Sequence, residues 1–182
     1  MPLEDDHRVA GTFNFVVSLR RSADVPSGLA GVEPGQGGPA ARTEPGGLIC
    51  DGGFQECTGL DIEMDVQELQ EGGRNDGVIR RVGRGKYGNL VLKRGMFHGA
   101  TGGRVSPALW EWLQGILRGV RPVMRCDGVV QVLAADRQTV LATWTFTRGL
   151  PARISGPQLN ARTGEIAIEE LQIAHEGLRL AV

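Results

Sequence analysis

The stretch LDIEMDVQ at residues 60–67 alternates apolar and polar side chains at every position. Successive side chains of a β-strand point to opposite faces, so this period of two predicts a half-buried strand with one solvated, acidic face. The residues expected on the buried face are Leu60, Ile62, Met64 and Val66. The residues expected on the solvated face are Asp61, Glu63, Asp65 and Gln67.

Six further strands are predicted on either side of this stretch. FNFVVSLR at 13–20 precedes it, and VIRRV at 78–82 follows an Asp-Gly pair that is typical of a tight turn. The others are NLVLKR at 89–94, the hairpin of GVVQVLAA at 128–135 and VLATWTF at 140–146, and EIAIEELQIAHEGL at 165–178. In the last segment the apolar residues move from even-numbered positions, up to Ile168, to odd-numbered positions, from Leu171. This change predicts a bulge or a strand that passes a sheet corner.

One α-helix is predicted at about 107–118. We expect Ser106 to cap it, Pro107 to occupy its first position and Gly119 to end it. Its apolar stripe, expected to pack on the sheet, is Leu109, Trp112, Leu113, Ile116 and Leu117. With about seven strands to one helix, the fold class is mostly β, a sandwich or barrel with one flanking helix.

Residues 22–48 differ in composition from the rest of the chain. These 27 positions hold 7 Gly and 4 Pro, no aromatic residue and no alternation. Such a composition is typical of a flexible segment without a core of its own. We therefore interpret residues 1–182 as a single domain that carries a flexible Gly/Pro-rich insert at 22–48.

Composition excludes several classes of protein. The formal net charge of −1 argues against a general electrostatic grip on nucleic acid, and 41% apolar residues argue against disorder over the whole chain. No segment approaches the roughly 18 apolar residues of a membrane helix. The acidic start lacks the layout of a secretory signal, so we expect the chain to be made in the cytoplasm. The three cysteines, Cys50, Cys57 and Cys126, lack metal-site spacing and are expected to be free thiols.

The motifs that carry chemistry are weak. GRGKYG at 83–88 matches the dinucleotide fingerprint G-x-G-x-x-G, but a strand pattern follows it, whereas a nucleotide-binding enzyme needs a helix after Gly88. Asp61, Glu63 and Asp65 could ligate a cation or act as an acid–base pair, although a solvated strand face is far more common. The three histidines, His7, His98 and His175, are scattered along the sequence. We therefore predict no catalytic, cofactor-binding or metal site.

Charge is distributed unevenly around the 60–67 stretch. Residues 56–71 hold six acidic side chains and no basic one, whereas residues 74–94 hold seven basic side chains and one acidic. One interpretation is pairing of neighbouring strands within the chain. The other is a dipolar surface, in which the basic segment of one subunit meets the acidic segment of the next in a ring or filament.

Five segments of the chain resemble one known family. They cover most of residues 13–178 apart from the insert, and they are GFQECTGLDIEMDVQELQEGG at 53–73, GRGKYGNLVLKRGMF at 83–97, LWEWLQGILRG at 109–119, WTFTRGLPARISGPQLNA at 144–161 and EIAIEELQIAHEGL at 165–178. The family is that of the tube proteins of contractile phage tails and of phage-tail-like contractile injection systems.

This resemblance implies an assembly protein without catalysis or cofactor. Members fold as a small β-sandwich or barrel with a flanking helix, close into hexameric rings and stack into a hollow tube inside a sheath. The implied partners are further copies of the chain, the sheath protein, the baseplate, the tape-measure and cap proteins, and cargo protein or DNA in the lumen, without membrane insertion. Two alternatives share the fold: a tube-initiator ring of the baseplate and a secreted type VI ring protein.

The resemblance also suggests roles for individual residues. The segment 67–87 matches the part that packs against neighbouring subunits and rings, including Glu71, Arg74, Arg80, Arg81, Lys86 and Tyr87. Three carboxylates are lumen-facing candidates that would repel DNA and bind acidic cargo weakly: Asp61, Glu63 and Asp65. On the helix, the outward face expected to make ring or sheath contacts is Glu111, Gln114 and Arg118. The insert at 22–48 departs from the family pattern, and its role and location stay open.

Overall fold

The structure, a computed structural model, describes residues 11, 13–22, 47–52, 54–70, 72–73, 76–96, 105–160, 162 and 166–181. These residues form ten β-strands and one α-helix, which confirms the mostly β class. In chain order the elements are β1 Phe15–Arg21, β2 Leu48–Gly52, β3 Glu56–Thr58, β4 Ile62–Leu69, β5 Ile79–Tyr87, β6 Leu90–Gly95, α1 Ala108–Leu117, β7 Cys126–Leu133, β8 Val140–Ser155, β9 Ile168–Ala174 and β10 Gly177–Ala181.

The strands exceed the predicted number of about seven for two reasons. Two short strands, β2 and β3, lie between the insert and the 60–67 stretch, where no alternation is long enough to mark them. In addition, the predicted strand at 165–178 is divided into β9 and β10 by a break at His175 and Glu176.

Eight of the strands form one antiparallel sheet. Its order is β2-β1-β7-β8-β9-β6-β3, and β10 pairs with β8. Within the described residues this sheet does not close on itself, since β2 and β3 each have one pairing partner. The long strand β8 pairs first with β7 and β10 and then with β9. Near this change of partner β8 has a bulge, in which Arg148 has a positive φ of 56°.

The core lies where the two halves of this sheet and the helix meet. Strands β1, β7 and β8 contribute Val17, Leu19, Val130 and Phe146, and strands β6 and β9 contribute Leu90, Leu92, Leu171 and Ile173. Two residues of α1, Leu109 and Trp112, complete the contact between helix and sheet. Burial of these side chains supplies the main stabilisation of the fold.

The helix was predicted well at its C-terminus and less well at its N-terminus. Gly119 has a φ of 80°, Val120 N donates to Gly115 O and Gly119 N donates to Ile116 O, which together form a Schellman motif after the last turn. The prediction that Ser106 caps the helix is wrong, because the cap position is Pro107 and no side chain bonds there. Leu117 does not join the packed stripe, since at the end of the helix it is 77% exposed.

The predicted bulge between Ile168 and Leu171 is wrong for β9 itself. The register with β6 runs without a shift from Gly95↔Ile168 to Leu90↔Ile173. The apolar phase changes because a carboxylate, Glu169, occupies an inward position that an apolar side chain would normally fill. The bulge in this region lies on β8, between Pro151 and Arg153.

The ends of the insert belong to the sheet. Arg21 N donates to Gly47 O at 2.9 Å, and the buried Ser22 hydroxyl donates to Asp127 Oδ1 at 2.6 Å. Leu48 begins β2, so the interruption is shorter than the predicted 22–48. Residues 23–46, on which the rest of that prediction falls, lie outside the described part of the chain.

All three cysteines are free thiols, as predicted. Burial raises the pKa of the Cys57 thiol to about 11. It raises that of Cys126 to about 12, with a smaller contribution from the charge of Asp127. Because the thiolate is the reactive form, these two side chains are inert near neutral pH.

Candidate functional site

Strands β4 and β5 form a hairpin that stands apart from the main sheet. They pair with each other in a separate two-stranded sheet and with no other described strand. The hairpin joins the main sheet at its base, around Gly59 and Asp61 on one side and Gly88 on the other. An isolated two-stranded hairpin is marginally stable in water, so further packing is expected to support it.

One face of this hairpin is apolar and open to solvent. The register places Ile62 opposite Tyr87 and Val66 opposite Val82, with Met64 between them. Ile62 is 62% exposed, Met64 54%, Val66 60% and Val82 79%. The prediction that β4 is half-buried is therefore wrong for the single chain. Of the four residues expected on the buried face of this stretch, only Leu60, which precedes β4, packs against the core. We call these residues the apolar hairpin face: Ile62, Met64, Val66, Val82 and Tyr87.

The opposite side of the hairpin carries charges of both signs, and we call it the charged hairpin face. Glu63 lies opposite Lys86, and Gln67 lies opposite Arg81. Lys86 Nζ donates to Asp65 Oδ1 at 2.7 Å, and this bond, followed by the Asp65 charge, raises the pKa of Lys86. The lumen candidates Glu63 and Asp65 therefore have basic neighbours on their own face.

The acidic and basic runs of the sequence pair with each other within the chain. Besides the Asp65–Lys86 pair, Arg80 Nε donates to Glu68 Oε1 at 3.2 Å, and Lys93 Nζ donates to Glu56 Oε2 at 2.9 Å. These contacts favour the first of the two interpretations of the charge pattern. The apolar hairpin face, rather than a charge dipole, is the distinctive surface of this region.

Two of the three glycines of GRGKYG, Gly83 and Gly88, are required by the geometry of the hairpin. A Cβ on Gly83 would lie 2.6 Å from the Asp65 carbonyl oxygen, at the point where the β4–β5 register shifts. A Cβ on Gly88 would lie 2.6 Å from the Asp61 carboxylate. The next element is β6, so the helix that a dinucleotide site requires does not follow this loop. The nucleotide-binding alternative is therefore wrong for this motif.

The remaining predicted site residues lie in three places. Asp61 precedes β4, with its carboxylate against Gly88. On α1, the three residues of the predicted outward face are exposed: Glu111, Gln114 and Arg118. Glu71 and Arg74, in the loop between β4 and β5, lie outside the described residues.

Sequence reasoning missed two features of this site. Alternation predicts the strand but not its burial, because the same pattern fits a strand that packs on its own chain and one whose apolar face is left open. It also missed His175, which lies at the base of the hairpin. Its ring centroid is 5.4 Å from that of Tyr87 and 5.6 Å from that of Phe146. No local sequence signal marks this contact, since the three residues are far apart in the chain.

The described residues contain neither a metal-binding cluster nor a membrane-spanning helix. No group of three or more His, Cys, Asp or Glu side chains is placed there to hold a metal ion. Within the same residues, no helix is long and apolar enough to cross a membrane.

The chain matches one protein family over most of its length. The model of the family described as T4-like virus tail tube protein gp19 matches residues 11–179. No curated protein matches the sequence.

Solved structures with the same fold come from contractile injection systems. A chain in the cryo-EM structure of the anti-feeding prophage (AFP) baseplate is 21% identical, with a TM-score of 0.72 over 96% of this chain and 97% of that one. A chain in the PVC sheath–tube complex in the extended state is 19% identical, with a TM-score of 0.69 over 97% and 93%. A chain in the AFP tube-terminating cap is 19% identical, with a TM-score of 0.66 over 100% and 99%. At these identities the likeness shows the fold alone.

Proposed function

We propose that this chain, which belongs to the T4-like virus tail tube protein gp19 family, is a structural subunit of the inner tube of a contractile injection system or phage tail. Copies of the chain assemble into hexameric rings, and the rings stack into a hollow conduit inside a sheath. The chain acts by assembly, without catalysis or a cofactor.

The exposed apolar hairpin face is the observation that carries this proposal. Fully burying an aliphatic side chain stabilises by about 1.5–3 kcal/mol. Its four aliphatic residues are more than half exposed. Covering them therefore contributes roughly 4–8 kcal/mol before the entropic cost of association is subtracted. A second copy of the chain is the partner that the family membership supports for this face.

The kind of contact also suits a closed or extended assembly. An interface that uses the hairpin of one copy and a different surface of the next is heterologous, and such interfaces build rings and filaments. Because Asp65 pairs with Lys86 and Glu68 pairs with Arg80 within the chain, we expect this contact to depend mainly on apolar burial. Glu71, Arg74, Arg80, Arg81, Lys86 and Tyr87 remain our candidates for the surrounding subunit and ring contacts.

The charged hairpin face is our candidate for the lining of the lumen. Glu63 and Asp65 share this face with Lys86 and Arg81, so its charge is balanced rather than purely acidic. A balanced surface attracts neither polyanions nor polycations strongly over long range. We therefore expect protein or DNA cargo to slide past it. Asp61 lies beside this face, at the base of the hairpin.

The exposed side of α1 is our candidate for contacts with the sheath or a neighbouring ring. It presents Glu111, Gln114 and Arg118, and the exposed Leu117 lies next to them. The other proposed partners are the baseplate, the tape-measure protein and the cap of the same particle. In this account the chain is made in the cytoplasm and ends in an assembled particle.

A pair of neighbouring substitutions tests the proposal. Val66→Glu places a charge on the apolar hairpin face, whereas Gln67→Glu places the same charge on the opposite face of the same strand. We expect the wild type and Gln67→Glu to form rings or tubes, and Val66→Glu to stay monomeric with an unchanged circular dichroism spectrum. Size-exclusion chromatography and negative-stain electron microscopy distinguish these states.

The outcomes of this experiment separate the alternatives. Stacked tubes support a main tube subunit, and single rings under all conditions support the tube initiator of the baseplate. A wild-type chain that remains a 19.5 kDa monomer at every concentration contradicts both. Rings formed equally well by Val66→Glu would show that the apolar hairpin face is not the interface.

A further inference from the structure

His175 occupies an unusual position at the base of the hairpin. It lies between the end of β9 and the start of β10, and its ring contacts the Phe146 ring in the core and the Tyr87 ring at the end of β5. The His175 side chain is partly buried, and both of its ring nitrogens are shielded from solvent. The backbone of Gly88 and Gly177 lies near them, but among the described residues neither nitrogen makes a hydrogen bond of ordinary geometry. Shielded polar atoms without such a bond are costly and therefore need an explanation.

Within the described residues the hairpin shares no strand ladder with the main sheet. The long bond from Gly88 N to Asp61 O, at 3.5 Å, joins the two strands of the hairpin to each other at their base. The ring contact between Tyr87 and His175 is a side-chain link between the end of the hairpin and the turn that joins β9 to β10 of the main sheet.

The charges around the ring determine its response to protons. Asp61, which precedes β4, is the carboxylate that acts on His175, and Phe146 from β8 brings no charge. Tyr87 from β5 brings a neutral phenol. In the turn next to the ring, Glu176 is held by Arg148 and Arg125, and these bonds lower its pKa.

Burial lowers the pKa of His175, and the Asp61 charge and the nearby backbone of Gly177 and Gly88 oppose that shift only in part. The unfolded chain, with an ordinary histidine pKa near 6.5, therefore binds this proton more readily than the folded chain. Stability that depends on the neutral ring is present above this pH and is lost as the pH falls through the folded-state value.

We propose that His175 is an acid-sensitive latch: the neutral ring holds Tyr87 and the hairpin against the main sheet, and the protonated ring releases them. Protonation places a charge between two aromatic rings and away from water. The imidazolium lowers its energy by leaving this site toward solvent and the Asp61 carboxylate. The ring contact with Tyr87 is then broken, and the orientation of the apolar hairpin face is no longer fixed.

The latch does not depend on assembly, but its consequence rests on the proposed function. If the hairpin forms the subunit contact, assembled particles lose contacts in mildly acidic solution. The environment of Tyr87 can be measured in the unassembled chain, so failure of the latch and failure of the assembly proposal give different results.

Tyr87 is the only tyrosine of the chain, which gives a clean probe. Incorporation of 3-fluorotyrosine yields a single ¹⁹F resonance from the hairpin end. We expect this resonance to shift and narrow as the pH is lowered from 7 to 5, a range in which the fluorinated phenol stays neutral, with a midpoint below about 6.5. Asp61→Asn removes the carboxylate that favours the protonated ring, so it moves the midpoint to lower pH.

Matched variants assign the transition to one histidine. His175→Phe keeps an aromatic ring that cannot be protonated, and its resonance stays constant across this range. His7→Gln removes a different histidine and titrates like the wild type. An unchanged transition in His175→Phe, or a flat wild-type profile, overturns the proposal.

A second measurement covers the case in which His175→Phe does not fold. The ¹³C-histidine resonance of His175 in the unsubstituted chain then reports its titration directly. A midpoint at or above 6.5, or titration without a change at Tyr87, also overturns the latch. If the Tyr87 transition occurs but no particles form at any pH, the latch stands and the proposed function fails.

Discussion

The buried Glu169 carboxylate is expected to hold the helix to the sheet. Only 2% of this residue is exposed, and its carboxylate accepts hydrogen bonds from Arg94 Nε on β6 and from Trp110 Nε1 on α1, the latter at 3.0 Å. Glu169→Ala removes one partner and leaves the largely buried Arg94 guanidinium without its carboxylate. Without this carboxylate, α1 and its exposed side would no longer be held in a fixed position on the sheet.

The size of the effect follows from these contacts. Breaking a buried ion pair by removing one partner costs about 3–5 kcal/mol, because the other charge stays buried. For a chain of this length, that loss lowers the melting temperature by roughly 6–20 °C, at about 2–4 °C per kcal/mol. Trp110→Phe removes only the indole donor and is expected to cost about 1.5–3 kcal/mol.

The assay is urea unfolding followed by circular dichroism on an assembly-deficient background such as Val66→Glu, so that subunit contacts do not add to stability. A second variant checks the cause: Arg94→Met combined with Glu169→Leu replaces the pair with apolar side chains and should recover most of the stability. A loss below about 1 kcal/mol in Glu169→Ala, or no recovery in the double variant, would show that Glu169 is not the partner that holds the buried Arg94 charge.

Two further predictions concern the hairpin and the thiols. Gly83→Ala would place a Cβ 2.6 Å from a backbone carbonyl oxygen of β4, so amide hydrogen exchange in β4 and β5 should accelerate. Gly85→Ala has open space at its Cβ and should leave the exchange rates unchanged. Equal effects of the two substitutions would contradict the strand geometry. Burial raises the pKa of Cys57 to about 11 and that of Cys126 to about 12, so both thiols should resist a thiol reagent at pH 8 until urea unfolds the chain. Peptide mass spectrometry measures the labelling of each cysteine. Rapid labelling of the native chain would argue against their burial.

Much of the fold could be predicted from local patterns. The strands β1, β4 to β9 and the helix follow from periods of two and 3.6, because these periods are set by backbone geometry alone. Gly119 was recognisable as the end of the helix, since few other residues adopt a positive φ there. The short strands β2 and β3 have too few residues for a period to show.

What could not be predicted depends on contacts between distant residues. In the sequence, the inward-facing Glu169 changes the apolar pattern in the same way as a bulge would. The two cases cannot be distinguished locally, because its partners Arg94 and Trp110 are 75 and 59 positions away. The exposure of Val66 and Val82 depends on whether any element of the same chain covers the hairpin, which alternation does not encode. The position of His175 against Tyr87 likewise arises only when β9 and β5 are placed by the fold.

In the proposed assembly, another copy of this chain covers the apolar hairpin face. A cryo-EM map of the assembled wild-type particle shows whether it does, through the surroundings of Val66 and Val82. We expect side chains of a neighbouring copy within about 4.5 Å of both residues. Assembled particles in which this face still points to solvent, or is covered only by another segment of its own chain, would contradict it.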